Sequence, residues 1–263
     1  MVFVTGDCHS DFGKFSSKNF PKQKKMTKDD YVIICGDFGG VWYPEVSEYH
    51  NKEEYWLDWL EKKSYTTLFV DGNHENFERL YQFSEQEWNG GQVHKLRPSV
   101  LHLMRGEMFL LNGKKFFTFG GASSHDIGDG IIIMDKEGKW KQIEKQYKRA
   151  GKNNYRVKDL TWWDRELPTK SELEHGWRNL EKNNYQADYI ISHCCPRKIE
   201  LNLLQKEHSL SERNYPPDIL TEYFNQIAEK VSFQKWFFGH YHDDMQLSEN
   251  YMLVYKQIIK IVS

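Results

Sequence analysis

The sequence predicts an α/β fold in one domain, and three features of the chain lead to that prediction. Short apolar runs of strand length, rich in branched and aromatic residues, recur along the chain. Amphipathic segments with helical spacing lie between several of these runs. The 263 residues, 39% of them hydrophobic, suffice for one sizeable core, and the chain has no internal repeat or Pro/Gly/Ser-rich linker.

Eight apolar runs are predicted as strands because each has the length and the residue types of a strand. They cover residues 2–4, 31–35, 67–70, 100–104, 108–111, 116–119, 189–191 and 236–238. The tail over residues 251–262 predicts one or two further strands that close the sheet.

Three helices are predicted from apolar side chains that repeat at helical spacing. Their apolar faces are Tyr49, Trp56, Leu57 and Leu60; Leu173, Trp177 and Leu180; and Ile219, Leu220, Tyr223, Phe224 and Ile227. The second helix follows Pro168-Thr169, with Ser171 and Glu174 as its start signal, and the third follows Pro216-Pro217.

Residues 122–167 fit this alternation least well, because they contain few clean strands and several Trp and Tyr side chains. We interpret this stretch as an insertion that forms a lid or rim beside the functional site. It is basic between Lys141 and Lys158, so Arg149 and Arg156 are candidates to bind a phosphate. The alternative interpretation of these cations is a solvated helix face.

Charge and hydropathy limit the classes of function. The formal net charge of -2 does not favour a nucleic-acid partner, although it does not exclude a local basic patch. No apolar run approaches the roughly 20 residues that span a bilayer, and the first residues do not resemble a signal peptide. The four cysteines lack a CxxC spacing, as is typical of free thiols in a reducing compartment. We therefore expect a cytoplasmic protein without a membrane partner.

Five apolar runs end in side chains that can bind a metal ion. These are Asp7 and His9, Asp37, Asn73 with His74, His193, and His240 with His242. Because the carboxyl ends of strands in an α/β sheet meet at one edge, we expect these side chains to share one crevice. Any one motif alone is more often a turn or a hydrogen-bonded histidine, but that interpretation does not account for five strand exits in one order.

The ordered set Gly-Asp-x-His, Gly-Asp, Gly-Asn-His-Glu, His and Gly-His-x-His resembles the calcineurin-like metallophosphoesterase family across residues 6–242. The resemblance implies a four-layer α/β/β/α sandwich of two mixed β-sheets flanked by helices. It also implies two divalent ions, about 3.5–4 Å apart. Asp7, His9 and His242 would bind the first ion, Asn73, His193 and His240 the second, and Asp37 both. Oxygen and imidazole ligands without thiolate favour Mn, with Fe or Zn as alternatives.

The resemblance further implies hydrolysis of a phosphomonoester or a small phosphodiester by a hydroxide that bridges the two ions. Two dications outweigh two aspartates and one hydroxide in charge, so the centre attracts an anionic phosphoryl group. His74 would transfer a proton to the leaving group or stabilise its charge. The expected substrate is a phosphorylated small molecule or a nucleotide, and the oligomeric state stays open.

One position departs from the family pattern, because Gly40 stands where many members carry the aspartate that orients the equivalent of His74. Another group, such as Glu75 or Asp71, orients His74 instead, or no group does. His125 and Asp126 follow another strand exit, and they are candidates to contact the substrate or to support the metal ligands. Two other functions stay open: a metal-dependent nuclease with the same site, and a non-catalytic binding scaffold on the same fold.

Overall fold

The computed structural model describes residues 1–206 and 215–263, and this part of the chain contains fifteen strands. They are β1 (Val2–Thr5), β2 (Tyr31–Cys35), β3 (Thr66–Val70), β4 (Glu85–Trp88), β5 (Gly91–Arg97), β6 (Val100–Leu103), β7 (Glu107–Leu111), β8 (Lys114–Phe119), β9 (Gly130–Ile132), β10 (Tyr155–Val157), β11 (Tyr189–Ser192), β12 (Lys235–Phe238), β13 (Met245–Gln246), β14 (Tyr251–Leu253) and β15 (Ile259–Val262). All eight predicted runs are strands, and the tail supplies β14 and β15.

The helices lie between these strands. They are α1 (His50–Glu61), α2 (Phe77–Leu80), α3 (Trp140–Arg149), α4 (Lys170–Lys182), α5 (Arg197–Lys206) and α6 (Ile219–Lys230). The three predicted helices are α1, α4 and α6. Among the helices that the structure describes, none is long and apolar enough to cross a membrane.

Two mixed sheets carry the architecture. The larger sheet has the strand order β15-β1-β2-β3-β6-β5-β4, in which β1, β2, β3 and β6 are parallel. The smaller sheet has the order β13-β14-β12-β11-β8-β7, in which β14, β12, β11 and β8 are parallel. A separate parallel pair, β9 and β10, lies within the predicted insertion.

The two sheets pack face to face, as the alternation of side chains along each strand shows. Val2 and Val4 enter a core between the sheets, where they join Ile191 and Phe237 of the other sheet. Phe3 points the other way, into a second core under the outer layer. Successive residues of a strand face opposite sides of a sheet, so a sheet buried on both faces needs uninterrupted apolar strands.

The helices complete the outer layers. Leu57 and Leu60 of α1 cover the outer face of the larger sheet. Leu180, Leu220 and Phe224 of α4 and α6 cover the outer face of the smaller one. The four-layer α/β/β/α sandwich with two mixed sheets is therefore confirmed.

The start of α4 differs in detail from the predicted signal. Thr169 is the N-cap residue, and its hydroxyl accepts the backbone N–H of Glu172, whose carboxylate accepts the backbone N–H of Thr169. The capping pair is thus Thr169 and Glu172 rather than Ser171 and Glu174, because Thr169 is the N-cap residue whereas Ser171 already lies within the helix.

Candidate metal centre

The carboxyl ends of five parallel strands deliver the predicted metal ligands to one place. Asp7, Asp37 and Asn73 follow β1, β2 and β3, which are neighbours in the larger sheet. His193 and His240 follow β11 and β12, which are neighbours in the smaller sheet. The site therefore lies where the same edge of both sheets meets, as expected for an α/β fold.

The first predicted ligand set forms a compact cluster. Asp7, His9, Asp37 and His242 each offer a ligand atom within 4.8 Å of those of the other three. The Nε2 atom of His242 lies 3.2 Å from Oδ2 of Asp7, and 3.0 Å from Nε2 of His9. Two ligands bound at right angles to one ion at 2.0–2.1 Å are separated by about 3 Å. The two imidazoles are thus spaced as they would be around one cation.

One buried oxygen at the centre of this cluster has no hydrogen-bond donor among the described residues. Oδ1 of Asp7 accepts the backbone N–H of His240 at 3.1 Å, whereas the buried Oδ2 accepts no hydrogen bond from that part of the chain. A buried carboxylate oxygen is costly without a donor or a cation. Since both neighbouring imidazoles face it, the residues present fit a divalent cation.

The second predicted set surrounds the other side of Asp37. Nε2 of His193 lies 3.2 Å from Oδ1 of Asn73 and 3.3 Å from Oδ1 of Asp37. Nδ1 of His193 donates to the carbonyl of Cys35 at 2.8 Å, which fixes the ring and directs Nε2 toward the centre. The His240 ring lies 4.9 Å from the His193 ring. Within the described residues, Asp37, His193 and His240 are gathered less tightly than the first set.

The buried carboxylates and imidazoles of the centre shift one another's pKa values. Burial raises the pKa of Asp37, but the imidazoles of His193, His74 and His9 outweigh it and hold that pKa well below its usual range. Burial lowers the pKa of His193, but Asp37 and Asp7 outweigh it and raise that pKa to about 10. A proton on His193 thus supplies positive charge that a bound cation would supply instead.

The backbone at the ligands is held in an unusual conformation. His9, Asp37, His240 and His242 have φ angles of 47°, 45°, 71° and 54°. L-residues other than glycine rarely adopt this left-handed region, and such strain persists only where the surrounding structure enforces it. Four of the seven predicted ligands share it, so the chain places them at a conformational cost.

Two glycines make room for ligands from neighbouring strands. A Cβ atom on Gly72 would lie 2.0 Å from Oδ1 of Asp37, and one on Gly36 would lie 2.1 Å from Nδ1 of His193. Gly36 also has a φ of +91°, which favours glycine. The glycines that precede the ligands in the sequence motifs therefore serve a close approach of the ligands to one another.

Comparison with known families agrees with this geometry. The model of the family described as calcineurin-like phosphoesterase matches residues 1–244. The chain belongs to the calcineurin-like phosphoesterase family. Members of this family are generally metal-dependent hydrolases of phosphate esters, and the acidic and histidine cluster supports binding of divalent metal. Comparison with curated proteins gives no significant match.

In this member of the family, His74 lies at the rim of the centre. Its backbone N–H donates to Oδ1 of Asp37 at 2.8 Å, and its ring lies 5.3 Å from that of His9 and 6.4 Å from that of Trp42. Burial lowers the pKa of His74, although the charge of Asp37 partly offsets that effect. The imidazole is therefore largely neutral near pH 7.

The two residues suggested to orient His74 are engaged elsewhere. The Glu75 carboxylate accepts the backbone N–H of Phe38 at 2.8 Å and that of Gly39 at 3.4 Å. The Asp71 carboxylate accepts from His102 and from Arg105. In residues 1–206 and 215–263, no side chain forms a hydrogen bond with the His74 imidazole. The remaining alternative, that no group orients this ring, agrees with the structure.

Three of the four predicted substrate contacts, His125, Asp126 and Arg156, lie near the centre, whereas Arg149 does not. The ring of His125 stacks on that of Tyr215 at 4.9 Å and meets that of His240 edge-on at 5.4 Å, so His125 borders the second ligand set. Arg156 donates from Nε to Oδ1 of Asp126 at 3.0 Å and from its terminal nitrogen to Oδ2. Both charges act on the pKa of His74, so this ion pair lies near the centre.

Arg149 is not brought to the site in the same way. It lies exposed in the last turn of α3, a helix without buried residues. It forms no hydrogen bond or ion pair with the described residues. This position agrees with a solvated helix face, and phosphate binding by Arg149 stays a prediction.

Two side chains that support the ligands could not be recognised from the sequence. Lys14 donates to the carbonyls of Gly6, Asp7 and Tyr255 at 2.7, 2.9 and 2.9 Å, so it secures the exit of β1. Glu166 is buried beside Ser124, and burial raises the pKa of its carboxyl to about 8. A charged residue in an irregular segment has no periodicity that marks it as buried, which is why neither was predicted.

Proposed function

We propose that this chain is a dinuclear-metal phosphoester hydrolase that acts on a phosphomonoester or a small phosphodiester. The observation that carries the proposal is the placement of the two oxygens of Asp37. Oδ2 faces the first ligand set, 3.7 Å from Nε2 of His9, whereas Oδ1 faces the second set, 3.3 Å from Nε2 of His193. A carboxylate that lies between two ligand sets is suited to bind two ions at once.

The ligand chemistry supports divalent cations with oxygen and nitrogen preference. In this proposal Asp7, His9, Asp37 and His242 hold one ion, and Asp37, Asn73, His193 and His240 hold the other. When bound, two such ions lower the pKa of the water between them and withdraw charge from the phosphoryl oxygens. We propose Mn, with Fe or Zn as alternatives, because none of the ligands is a thiolate.

The protein's own groups then set the position of the substrate and the fate of the proton. His74 presents an imidazole that no other described side chain engages, at the rim where a leaving group would lie. Because its pKa is lowered, we assign it hydrogen-bond donation to the leaving-group oxygen rather than the role of a strong cationic acid.

The surroundings of the centre favour a small substrate. Trp163 of the predicted insertion packs on Trp42 at 5.3 Å, and Trp42 in turn lies beside His74. On the other side, His125 and Tyr215 border His240. In this proposal the insertion acts as a rim that restricts access, and Arg156 contacts the phosphate while paired with Asp126. A polynucleotide needs a longer basic groove, which a net charge of -2 does not favour.

We propose a reducing, cytoplasmic location on the basis of the thiols. Cys8, Cys35, Cys194 and Cys195 are all free and buried. Burial raises the pKa of the Cys8 thiol to about 12, so it stays protonated and is a poor metal ligand. The four residues thus behave as small apolar side chains.

The proposal is tested by metal reconstitution and a substrate panel. The purified protein is stripped with EDTA, loaded with Mn, Fe or Zn, and assayed for bound metal by mass spectrometry. Hydrolysis is measured with p-nitrophenyl phosphate, bis(p-nitrophenyl) phosphate, cyclic nucleotides and an oligonucleotide. We expect two ions per chain and hydrolysis of a small ester that EDTA abolishes.

Each alternative has its own outcome in this experiment. Saturation at one ion per chain contradicts the dinuclear centre. The lack of a stoichiometric pair of ions, together with no hydrolysis of any substrate in the panel, supports a binding scaffold. Preferential cleavage of the oligonucleotide, with an affinity that falls steeply as salt rises, supports a nuclease.

A further inference from the structure

The side chain of Asn73 poses a problem of orientation that the ligand set alone does not solve. An asparagine amide has nearly the same shape at both ends, but its oxygen accepts whereas its nitrogen donates two protons. Only the oxygen can bind a cation. If the amide were reversed, two N–H groups would point at the ion. A second set of groups is therefore needed to hold the amide in one orientation.

The buried contacts on the far side of Asn73 meet this need. Nδ2 of Asn73 donates to Oγ of Ser124 at 3.2 Å. Oγ of Ser124 donates to Oε1 of Glu166 at 2.7 Å, and its backbone N–H donates to Oε2 at 3.0 Å. Asn73, Ser124 and Glu166 are 2%, 6% and 3% exposed, so water does not compete for these bonds.

We propose that Ser124 and Glu166 are positioning residues that fix the amide of Asn73 with its oxygen toward the second metal ion. This inference rests on the proposed dinuclear function. A hydroxyl has one proton, and in the metal-bound state, in which Glu166 is ionised, Ser124 gives that proton to the Glu166 carboxylate. Its remaining lone pairs accept only, so the end of the amide that faces Ser124 must be the nitrogen.

The charge of the bound cation reinforces this arrangement. A cation at Oδ1 polarises the amide and strengthens donation from Nδ2 to Ser124. It also favours the ionised form of Glu166, which is the form that accepts from both groups of Ser124. Hydrogen bonds to the ligands of a metal are worth about 10- to 100-fold in metal affinity.

A buried arginine holds Glu166 in place relative to the same strand exit. Arg105 donates to Oδ2 of Asp71, which precedes Gly72 and Asn73, from Nε at 2.9 Å. Its terminal nitrogen donates to the carbonyl of Arg165 at 2.7 Å. The end of β3 and the segment that bears Glu166 are thus tied together at Asp71 as well as at Asn73. The predicted insertion, which ends at residue 167, therefore supplies part of the metal site's support.

The test compares two adjacent serines. Ser124→Ala removes the acceptor for Nδ2 of Asn73, whereas Ser123→Ala removes a hydroxyl that donates to Asp218 at 2.8 Å and is the matched control. Mn binding to EDTA-stripped protein is measured by isothermal titration calorimetry, and bound Mn by mass spectrometry. We expect Ser124→Ala to lower the affinity for one of the two Mn ions by about 10- to 100-fold. Ser123→Ala should bind both ions with the affinity of the wild type.

Two further variants separate orientation from general damage. In an Asn73→Asp background both side-chain ends are oxygens, so Ser124→Ala should weaken Mn binding by less than 3-fold there. Glu166→Gln keeps the size of the side chain but offers an amide nitrogen to Ser124. It should lower the affinity for the same Mn ion that Ser124→Ala affects. Thermal unfolding of the stripped variants confirms that each is folded.

The outcomes assign failure to one proposal or the other. If the wild-type protein binds two Mn ions and Ser124→Ala binds them with equal affinity, the positioning role is wrong. The role is also wrong if Ser124→Ala lowers Mn affinity equally in the Asn73→Asp background. Such a loss would not depend on which end of the residue 73 side chain faces the ion, and it would therefore indicate a general structural defect. Should Ser124→Ala not fold, unchanged Mn affinity in Glu166→Gln refutes the role. If the wild type itself binds no second ion, the dinuclear function fails instead.

Discussion

Replacing Gly72 by alanine places one methyl group against the carboxylate that lies between the two ligand sets. The new Cβ would lie 2.0 Å from Oδ1 of Asp37 and 2.4 Å from its backbone nitrogen. Gly72 does not have a positive φ, so the substitution perturbs contacts and not the backbone preference. Non-bonded contacts of a Cβ atom are not found below 3.0 Å, so Asp37 or the Gly72 segment must move by about 1 Å.

The structure gives the size of the expected effect. Asp37 is 1% exposed and accepts the backbone N–H of His74 at 2.8 Å, so it has no free space into which to move. Overpacking of this kind costs about 1–3 kcal/mol of unfolding free energy. A ligand misplaced by about 1 Å costs about 10²-fold in turnover. Because Asp37 faces both sets, we expect both ions to bind more weakly.

Mn titration and steady-state hydrolysis of p-nitrophenyl phosphate measure these effects. Gly128→Ala is the matched control, since a Cβ at Gly128 meets no atom within 4 Å. We expect Gly128→Ala to behave as the wild type. If Gly72→Ala retains Mn affinity and turnover within about 3-fold of Gly128→Ala, the placement of Asp37 against this glycine is not what the activity depends on.

Three further perturbations address the remaining groups. Asp37→Asn removes the charge that faces both sets, so hydrolysis should fall below detection in the p-nitrophenyl phosphate assay, and near-normal turnover would count against the dinuclear mechanism. His74→Ala should lower turnover about 10²- to 10⁴-fold while mass spectrometry still finds both metals; loss of metal would instead make His74 a ligand. Burial raises the pKa of Glu166 from 4.5 to about 8, so the folded, metal-free protein retains a proton that the unfolded chain releases between those values. Its unfolding free energy should therefore fall by a few kcal/mol as the pH rises from 4.5 to 8. Urea unfolding at several pH values measures this dependence. The unfolding free energy of Glu166→Gln should change less with pH than that of the wild type, and an equal pH dependence would refute a buried, proton-retaining Glu166.

The strands and the main helices could be predicted because local patterns of apolar residues in the sequence mark them. A strand buried on both faces, such as β2 or β12, must be apolar throughout and is visible as a short run. The ligands were visible for a related reason, because each follows such a run within a few residues. The sandwich of two sheets was implied only by the family resemblance, since periodicity does not specify which strands pair.

Elements at the periphery were missed because their sequences carry no burial signal. The strand β4 reads Glu-Gln-Glu-Trp and is mostly exposed at the sheet edge. Helix α3 has no buried residues, so the sequence offered only a solvated helix face as one interpretation of its basic residues and did not predict the bounds of the helix. The contacts among Asn73, Ser124 and Glu166 join residues more than 40 positions apart, and only the folded chain brings them together.

The division of the ligands between two sheets bears on when the protein can acquire metal during synthesis. Asp7, His9, Asp37 and Asn73 follow strands near the start of the chain, whereas His193, His240 and His242 follow strands made much later. A nascent chain shorter than 242 residues cannot complete the first ligand cluster. Moreover, β1, which leads to Asp7, pairs with β15 at residues 259–262. In the proposed site, metal would therefore be bound only late in synthesis, and the bound ions would link the early and late parts of the chain to each other.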